Sequence, residues 1–194
     1  MIAVMQADLV HRHRLTVEEY FRMAEVGLLA PDAHVELIEG EIIDMAPIGT
    51  QHGGLLADLV LRIGRDLGER VCVWVQATLP LGKFSAPEPD IALLRYRKDT
   101  YKKKYPSPDD VFLIVELSQS SLRHDRDVKL PLYARHNIPE VWIVDVASRH
   151  INFFHTPKAG QYTHASSTAS PGSISLRALP IATLDLTGLL GDLE

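Results

Sequence analysis

Apolar positions along the chain follow helical and strand rhythms in alternation. Thr16-Val-Glu-Glu19 sets a threonine three residues before a glutamate, as in a capping box, and Tyr20, Phe21, Met23, Ala24 and Leu28 follow at helical spacing around Gly27. A short helix over about 16–26 is predicted. Val35-Glu-Leu-Ile38 and Glu41-Ile-Ile-Asp-Met45 flank Glu39-Gly40, the pattern of a tight β-hairpin. Leu55, Leu56, Leu59, Val60, Ile63 and Leu67 mark an amphipathic helix over about 50–69 that ends near Gly68. Residues 71–77, 90–94, 111–117, 141–146 and 151–155 are short β-rich runs, several too uniformly apolar to keep a wet face.

Between the third and fourth of these runs, residues 125–136 pair Val128 with Leu132 and Leu130 with Ala134 at i, i+4 and read as a helix. Pro131 interrupts it; with Asp125 or Asp127 as N-cap, the proline falls in an early turn, where its missing N–H does least harm. The stretch over 156–173 is polar and reads as a loop or weak hairpin around Gln161-Tyr-Thr163, followed by a last apolar segment over 174–193. Repeats, low-complexity blocks and interdomain linkers are absent. The expected architecture is an α/β (α+β) fold with a mixed central sheet flanked by helices, in one domain over 14–194 after an N-terminal extension over 1–13.

The 194 residues are 46% hydrophobic and 23% charged, enough for an ordinary globular core without disulfide or structural metal. Cys72 is the single cysteine and lies in Val71-Cys-Val-Trp-Val75, so it reads as a small buried hydrophobe in a reducing compartment. No apolar stretch is long enough to span a bilayer, and residues 1–10 are too short and polar for a signal peptide; a cytoplasmic location without membrane contact is expected. The net charge of −5 denies the chain a global basic footprint. Basic residues crowd one segment, Arg95, Arg97, Lys98, Lys102, Lys103 and Lys104, which is either a solvated loop or a loop that contacts phosphates.

Two carboxylates stand out by position. Asp90, in Ser85-Ala-Pro-Glu-Pro-Asp90, opens an apolar run, and Glu116 lies near the end of another, Val111 to Leu117. A lone charge there is costly to bury. Two such acids on adjacent strands repel each other; a hard divalent cation relieves this, as does pairing of Glu116 with a lysine or arginine.

His34-Val-Glu-Leu-Ile-Glu-Gly-Glu41, Gln51-His52, Pro87-Glu-Pro-Asp-Ile-Ala-Leu93, Val115-Glu-Leu-Ser118, Asp125-x-x-x-Lys129-x-x-x-Tyr133 and Ile138-Pro-Glu-Val-Trp-Ile-Val-Asp145 together resemble the Uma2 (DUF820) family of restriction-endonuclease-like proteins, from about Arg14 to Leu190. The resemblance implies a PD-(D/E)XK nuclease core. Asp90 and Glu116 match its metal-binding acids, with the backbone carbonyl of Leu117 as the third protein ligand, and Mg²⁺ is the implied ion, Mn²⁺ its substitute. Ser118 stands where the standard motif has lysine; the lysine of Uma2-like sequences lies on the following helix, at Lys129, whose long stem can carry its ammonium back over the strand end. A cation near a helix start faces the positive end of the dipole, which asks for a carboxylate partner. Glu36 matches a recurrent family acid and is a fourth candidate catalytic residue, although strand alternation opposite Val35 and Leu37 equally fits an exposed structural acid. His52, as ligand or as cap, Gln76, as holder of a water or base, and Tyr133, packed beside the lysine stem, are supporting positions.

The implied activity is Mg²⁺-dependent hydrolysis of phosphodiester bonds in DNA by a homodimer, water being activated at a carboxylate-bound metal with help from Lys129. The competing expectation is a catalytically idle nucleic-acid-binding or regulatory module that retains the nuclease fold.

Overall fold

The computed structural model describes residues 12–191, so residues 1–11 of the expected extension and the last three residues lie outside the described range. Helix α1 (Val17–Glu25) starts where the capping box predicts: the Glu19 N–H donates to Thr16 Oγ1 at 3.2 Å and the Thr16 N–H donates to Glu19 Oε2 at 2.7 Å. Strands β1 (Val35–Ile38) and β2 (Glu41–Asp44) form the predicted hairpin. Its turn residues Glu39 and Gly40 both have positive φ, 53° and 87°, as the mirror-image two-residue turn requires. Gly40 is also sterically obligatory, because a Cβ there would lie 2.6 Å from the Arg14 Cβ.

Helix α2 (Thr50–Leu67) and strand β3 (Val71–Val75) follow, then β4 (Ile91–Arg95) and β5 (Val111–Ser118). Short α3 (Leu122–His124) runs through a π-helical turn (Asp125–Lys129) into α4 (Leu130–Arg135). After β6 (Glu140–Asp145) come β7 (His150–Lys158), β8 (Gln161–Thr168), β9 (Ser173–Leu176) and β10 (Leu179–Asp185). Six strands pair in the order β3-β4-β5-β6-β7-β8, all antiparallel except the β5–β6 pair, which gives the expected mixed sheet. The segment expected to be a loop or weak hairpin is a full eight-residue edge strand, β8, whose exposed residues gave no apolar alternation to detect. The final apolar stretch folds back as the β9–β10 hairpin.

Both sheet faces are covered, which is why β5 is buried at every position. Leu55, Leu59, Ile63 and Leu67 of α2 pack with the β9–β10 hairpin against Leu113, Val115 and Leu117. On the other face Leu132 and Tyr133 of α4 pack against Ile114, Val141 and Ile143. Cys72 is buried and unbridged, as expected. No helix among the described residues is long and apolar enough to cross a membrane.

Glu140, buried at the start of β6, accepts hydrogen bonds from Trp142 Nε1 and from the Arg177 N–H, both at 2.8 Å. Burial nevertheless holds its pKa above the ordinary carboxylate value. The native state therefore keeps this proton to higher pH than the unfolded chain does, so its contribution to stability is full below the unfolded pKa and declines as pH rises through the folded one. Glu140→Gln should flatten that part of the stability–pH curve in denaturant titrations, and an unchanged curve would contradict the assignment.

Candidate active site

Strand register brings the two sequence-predicted acids together. Ile91 pairs with Val115, so Asp90, one residue before β4, comes beside Glu116, and the Asp90 N–H donates to Glu116 Oε2 at 3.4 Å. The Asp90 carboxylate is held on both sides. Its Oδ2 accepts the Leu117 N–H at 2.7 Å; its Oδ1 accepts Gln76 Nε2 at 3.2 Å and meets His52 Nε2 at 2.9 Å. His52, from the first turn of α2, also faces the Leu117 carbonyl, and the hydrogen bond to Asp90 holds its pKa above the ordinary histidine value.

Glu116 is buried and turns toward the α3–α4 segment, where Lys129 and Tyr133 lie, yet it lines the same cleft as Asp90. Lys129 Nζ lies 2.9 Å from Glu116 Oε1 and 3.4 Å from Glu36 Oε2, and the Tyr133 hydroxyl donates to Glu116 Oε1 at 2.5 Å. Tyr133 thus does more than pack beside the lysine stem. Burial pushes the Glu116 carboxyl up to about 8: Lys129 opposes this, while Asp125 and Asp90 reinforce it. Burial would lower the Lys129 pKa, but the charges of Glu116, Glu36 and Asp125 outweigh it and hold the ammonium protonated. Several carboxylates share one lysine, and burial works against the charged form of Glu116.

The helix bearing Lys129 begins earlier than its sequence suggests. Neither Asp125 nor Asp127 is its N-cap; α3 starts after Ser121, so Lys129 lies well inside the helix and its need for a carboxylate comes from burial rather than from the dipole. Asp125 instead accepts hydrogen bonds from the Ser118 and Ser121 hydroxyls, at 2.7 and 2.6 Å. Ser118, at the place of the standard motif's lysine, is thus engaged with Asp125. Pro131 explains the π turn: it has no N–H to offer one turn back, and the Leu130 N–H reaches across a wider turn to the Asp125 carbonyl.

Glu36 is buried, which overturns the exposed alternative. Main-chain hydrogen bonds join Leu37 to Ala86 at the hairpin's edge, and Glu36 turns inward to meet His124 and Lys129 of the α3–α4 segment. Glu36 accepts the Glu88 N–H and pairs with His124 Nε2, both at 3.1 Å. Burial raises its pKa, but the His124 hydrogen bond, the Lys129 charge and the Glu88 N–H together bring it below the ordinary value. Sequence reasoning missed Glu88, His124 and Asp125 as parts of this arrangement. Glu88 was marked only by its prolines on either side; its carboxyl takes the Thr78 hydroxyl at 2.8 Å, and burial raises its pKa.

These groups open on a cleft of about 590 Å³, walled on one side by the Met45-Ala-Pro-Ile-Gly49 segment. Among the described residues lining it are six carboxylates, Glu36, Asp44, Glu88, Asp90, Glu116 and Asp125, and Lys129 is the one Lys or Arg. No three His, Cys, Asp or Glu side chains among the described residues converge as a ready-made metal cluster. A cation here could draw on Asp90, Glu116 and the Leu117 carbonyl, with water completing its shell. That all-oxygen donor set suits Mg²⁺, which keeps several waters. The basic residues are not part of the cleft. Arg95, at the end of β4, lies about 17 Å from Asp90 at the rise of an extended strand, and the others follow it along the chain. There Arg97 pairs with Asp99 at 2.9 Å and Arg95 donates to the Asp109 carbonyl at 3.0 Å.

None of the curated proteins matches the chain significantly. Among solved structures, it is similar to one titled a putative nuclease belonging to DUF820 from Anabaena variabilis ATCC 29413. The TM-score is 0.69 at 14% identity, over 93% of this chain and 99% of that one, which is a likeness of fold. The family model described as "Uma2: Putative restriction endonuclease" matches residues 17–187, nearly the whole described range, and the chain belongs to the Uma2 family.

Proposed function

We propose that the chain is a Mg²⁺-dependent endonuclease that hydrolyses phosphodiester bonds in DNA, with Mn²⁺ able to substitute. The observation that carries this reading is the meeting of Asp90 and Glu116 at one end of β4 and β5, beside a buried lysine, in a cleft with six carboxylates. An anionic phosphodiester is repelled by such a cleft unless a cation offsets the surplus. Asp90, Glu116 and the Leu117 carbonyl would hold that cation. When bound, it would supply Lewis-acid polarisation of the phosphoryl group and a lowered pKa for water.

The protein's own groups have separate tasks. Lys129, fixed between Glu116 and Glu36, orients the attacking water and offsets negative charge developing at phosphorus. Gln76 and the Leu117 N–H fix the rotamer of Asp90, and Tyr133 fixes that of Glu116. A homodimer would supply the second cut that a double-strand break requires, and the family's description supports nuclease chemistry over a bystander role.

Incubation with supercoiled plasmid under Mg²⁺, Mn²⁺, Ca²⁺ and EDTA tests the proposal. Nicking with Mg²⁺ and Mn²⁺, abolished by EDTA, is the expected result; binding without cleavage in every cation would instead identify a catalytically idle module. We further propose that the loop after β4 touches phosphates flanking the cut site. Converting Lys102, Lys103 and Lys104 together to Ala should then weaken binding and reduce its logarithmic salt slope by roughly one unit for each phosphate no longer neutralised. An unchanged slope would leave the loop as solvated surface.

A further inference from the structure

We propose that His52 is a removable plug that occupies the cation position, holding Asp90 until a divalent ion displaces it. This inference rests on the cation site proposed above. Asp90 Oδ1 and the Leu117 carbonyl are two of the oxygens that would hold an ion, and the imidazole faces both, with Nε2 2.9 Å from Oδ1. An ion seated about 2.1 Å from Oδ1, on the side of that oxygen the imidazole now takes, would leave no room for the ring. His52 therefore competes with the ion for space. The ring does so in a favourable way, since Asp90, only 14% exposed at its side chain, would otherwise face Glu116 without a polar counterpart at Oδ1 other than Gln76.

The segment bearing His52 is built to let go. Its helix starts at Gly49, which offers no capping side chain, and the first turn contains no acidic residue. Gly53 and Gly54 follow His52 directly. Packing does not demand them: a Cβ at Gly54 would meet nothing within 4 Å, and one at Gly53 only the end of Ile48 at 3.9 Å. A glycine inside a helix is less favourable than alanine because it gives up more backbone freedom, so this turn has weak intrinsic preference for its present conformation. Swinging His52 out removes its hydrogen bond to Asp90 and opens the cleft side of the carboxylate.

The test is Mn²⁺ binding to the full chain, measured by titration calorimetry on wild type, His52→Ala, His52→Asn and Asp90→Asn, with thermal unfolding to establish that each variant folds. His52→Ala should bind Mn²⁺ at least about fivefold more tightly than wild type, Asp90→Asn should lose binding, and His52→Asn, which is smaller but polar, should fall between. In ¹⁵N-histidine NMR, diamagnetic Mg²⁺ should change the wild-type His52 ring signals from those of a hydrogen-bonded ring to those of a solvated one. Unchanged or weaker Mn²⁺ binding by His52→Ala, with binding still abolished in Asp90→Asn, would overturn the plug and leave the cation site standing. Absence of Mn²⁺ binding in wild type and both His52 variants would refute the cation site and the plug together.

Discussion

Lys129→Met should lower the unfolding free energy by about 3–5 kcal/mol, the cost of removing one partner from a buried ion pair. For a domain of this size that corresponds to a fall in Tm on the order of 6–20 °C. The Lys129 side chain is 5% exposed and lies between Glu116 and Glu36, whose side chains are each 3% exposed. Methionine fills much of the space of the lysine stem, so the loss measures charge rather than cavity. The surviving carboxylates would face each other without a cation, and Glu116, whose charged form burial disfavours, would take up a proton. Glu116→Gln combined with Lys129→Met should therefore be less destabilised than the sum of the single variants, because the second change removes the charge the first left unpaired. A single-variant loss below about 1 kcal/mol, or strict additivity in the cycle, would mean that the pair carries little of the local stability. Under the nuclease reading the same substitution removes the charge beside the attacking water, so cleavage should fall even at temperatures where the variant is folded.

Elements set by local rules were legible in the sequence. The capping box fixed α1, the Glu39-Gly40 pair fixed the hairpin, and the Leu55 to Leu67 stripe fixed α2. Asp90 and Glu116 could be brought together on paper because each sits at the end of a uniformly apolar run, and antiparallel neighbours place such ends side by side. What local rules could not convey was what surrounds them. Read as a bare pair, the acids repel; in the fold Asp90 meets His52 and Glu116 meets Lys129, so the clash is relieved by residues 38 positions before one and 13 after the other. Glu36 looked exposable because period-two alternation assumes one wet face, whereas the α3–α4 segment covers the face that carries it, through His124 and Lys129. The start of α3 was hidden because an aspartate further along made an equally good cap, and β8 because an edge strand exposed along most of its length leaves no hydrophobic pattern.

Asp90→Asn should reduce nicking by roughly 10³-fold, the rate equivalent of about 4 kcal/mol of lost transition-state stabilisation. Its effect on the cation-free fold should be much smaller, about 1–3 kcal/mol, the range for unsatisfying a partly buried hydrogen-bonding group. The asparagine carbonyl can still accept from Gln76 or from the Leu117 N–H, but its amide group brings a donor to whichever of those donors it faces. A loss of activity that far outweighs the loss of stability separates a chemical role from a structural one. Mass action supplies a second criterion: at a Mg²⁺ concentration a hundredfold above its dissociation constant, wild type should gain about 2.7 kcal/mol, or several degrees in Tm. Asp90→Asn should lose most of that gain, since it removes one negative charge and one oxygen donor from the cation's shell. If the variant keeps the full Mg²⁺ shift, the ion binds elsewhere, and Asp90 serves only to tie β4 to β5 through the Leu117 N–H and to α2 through His52.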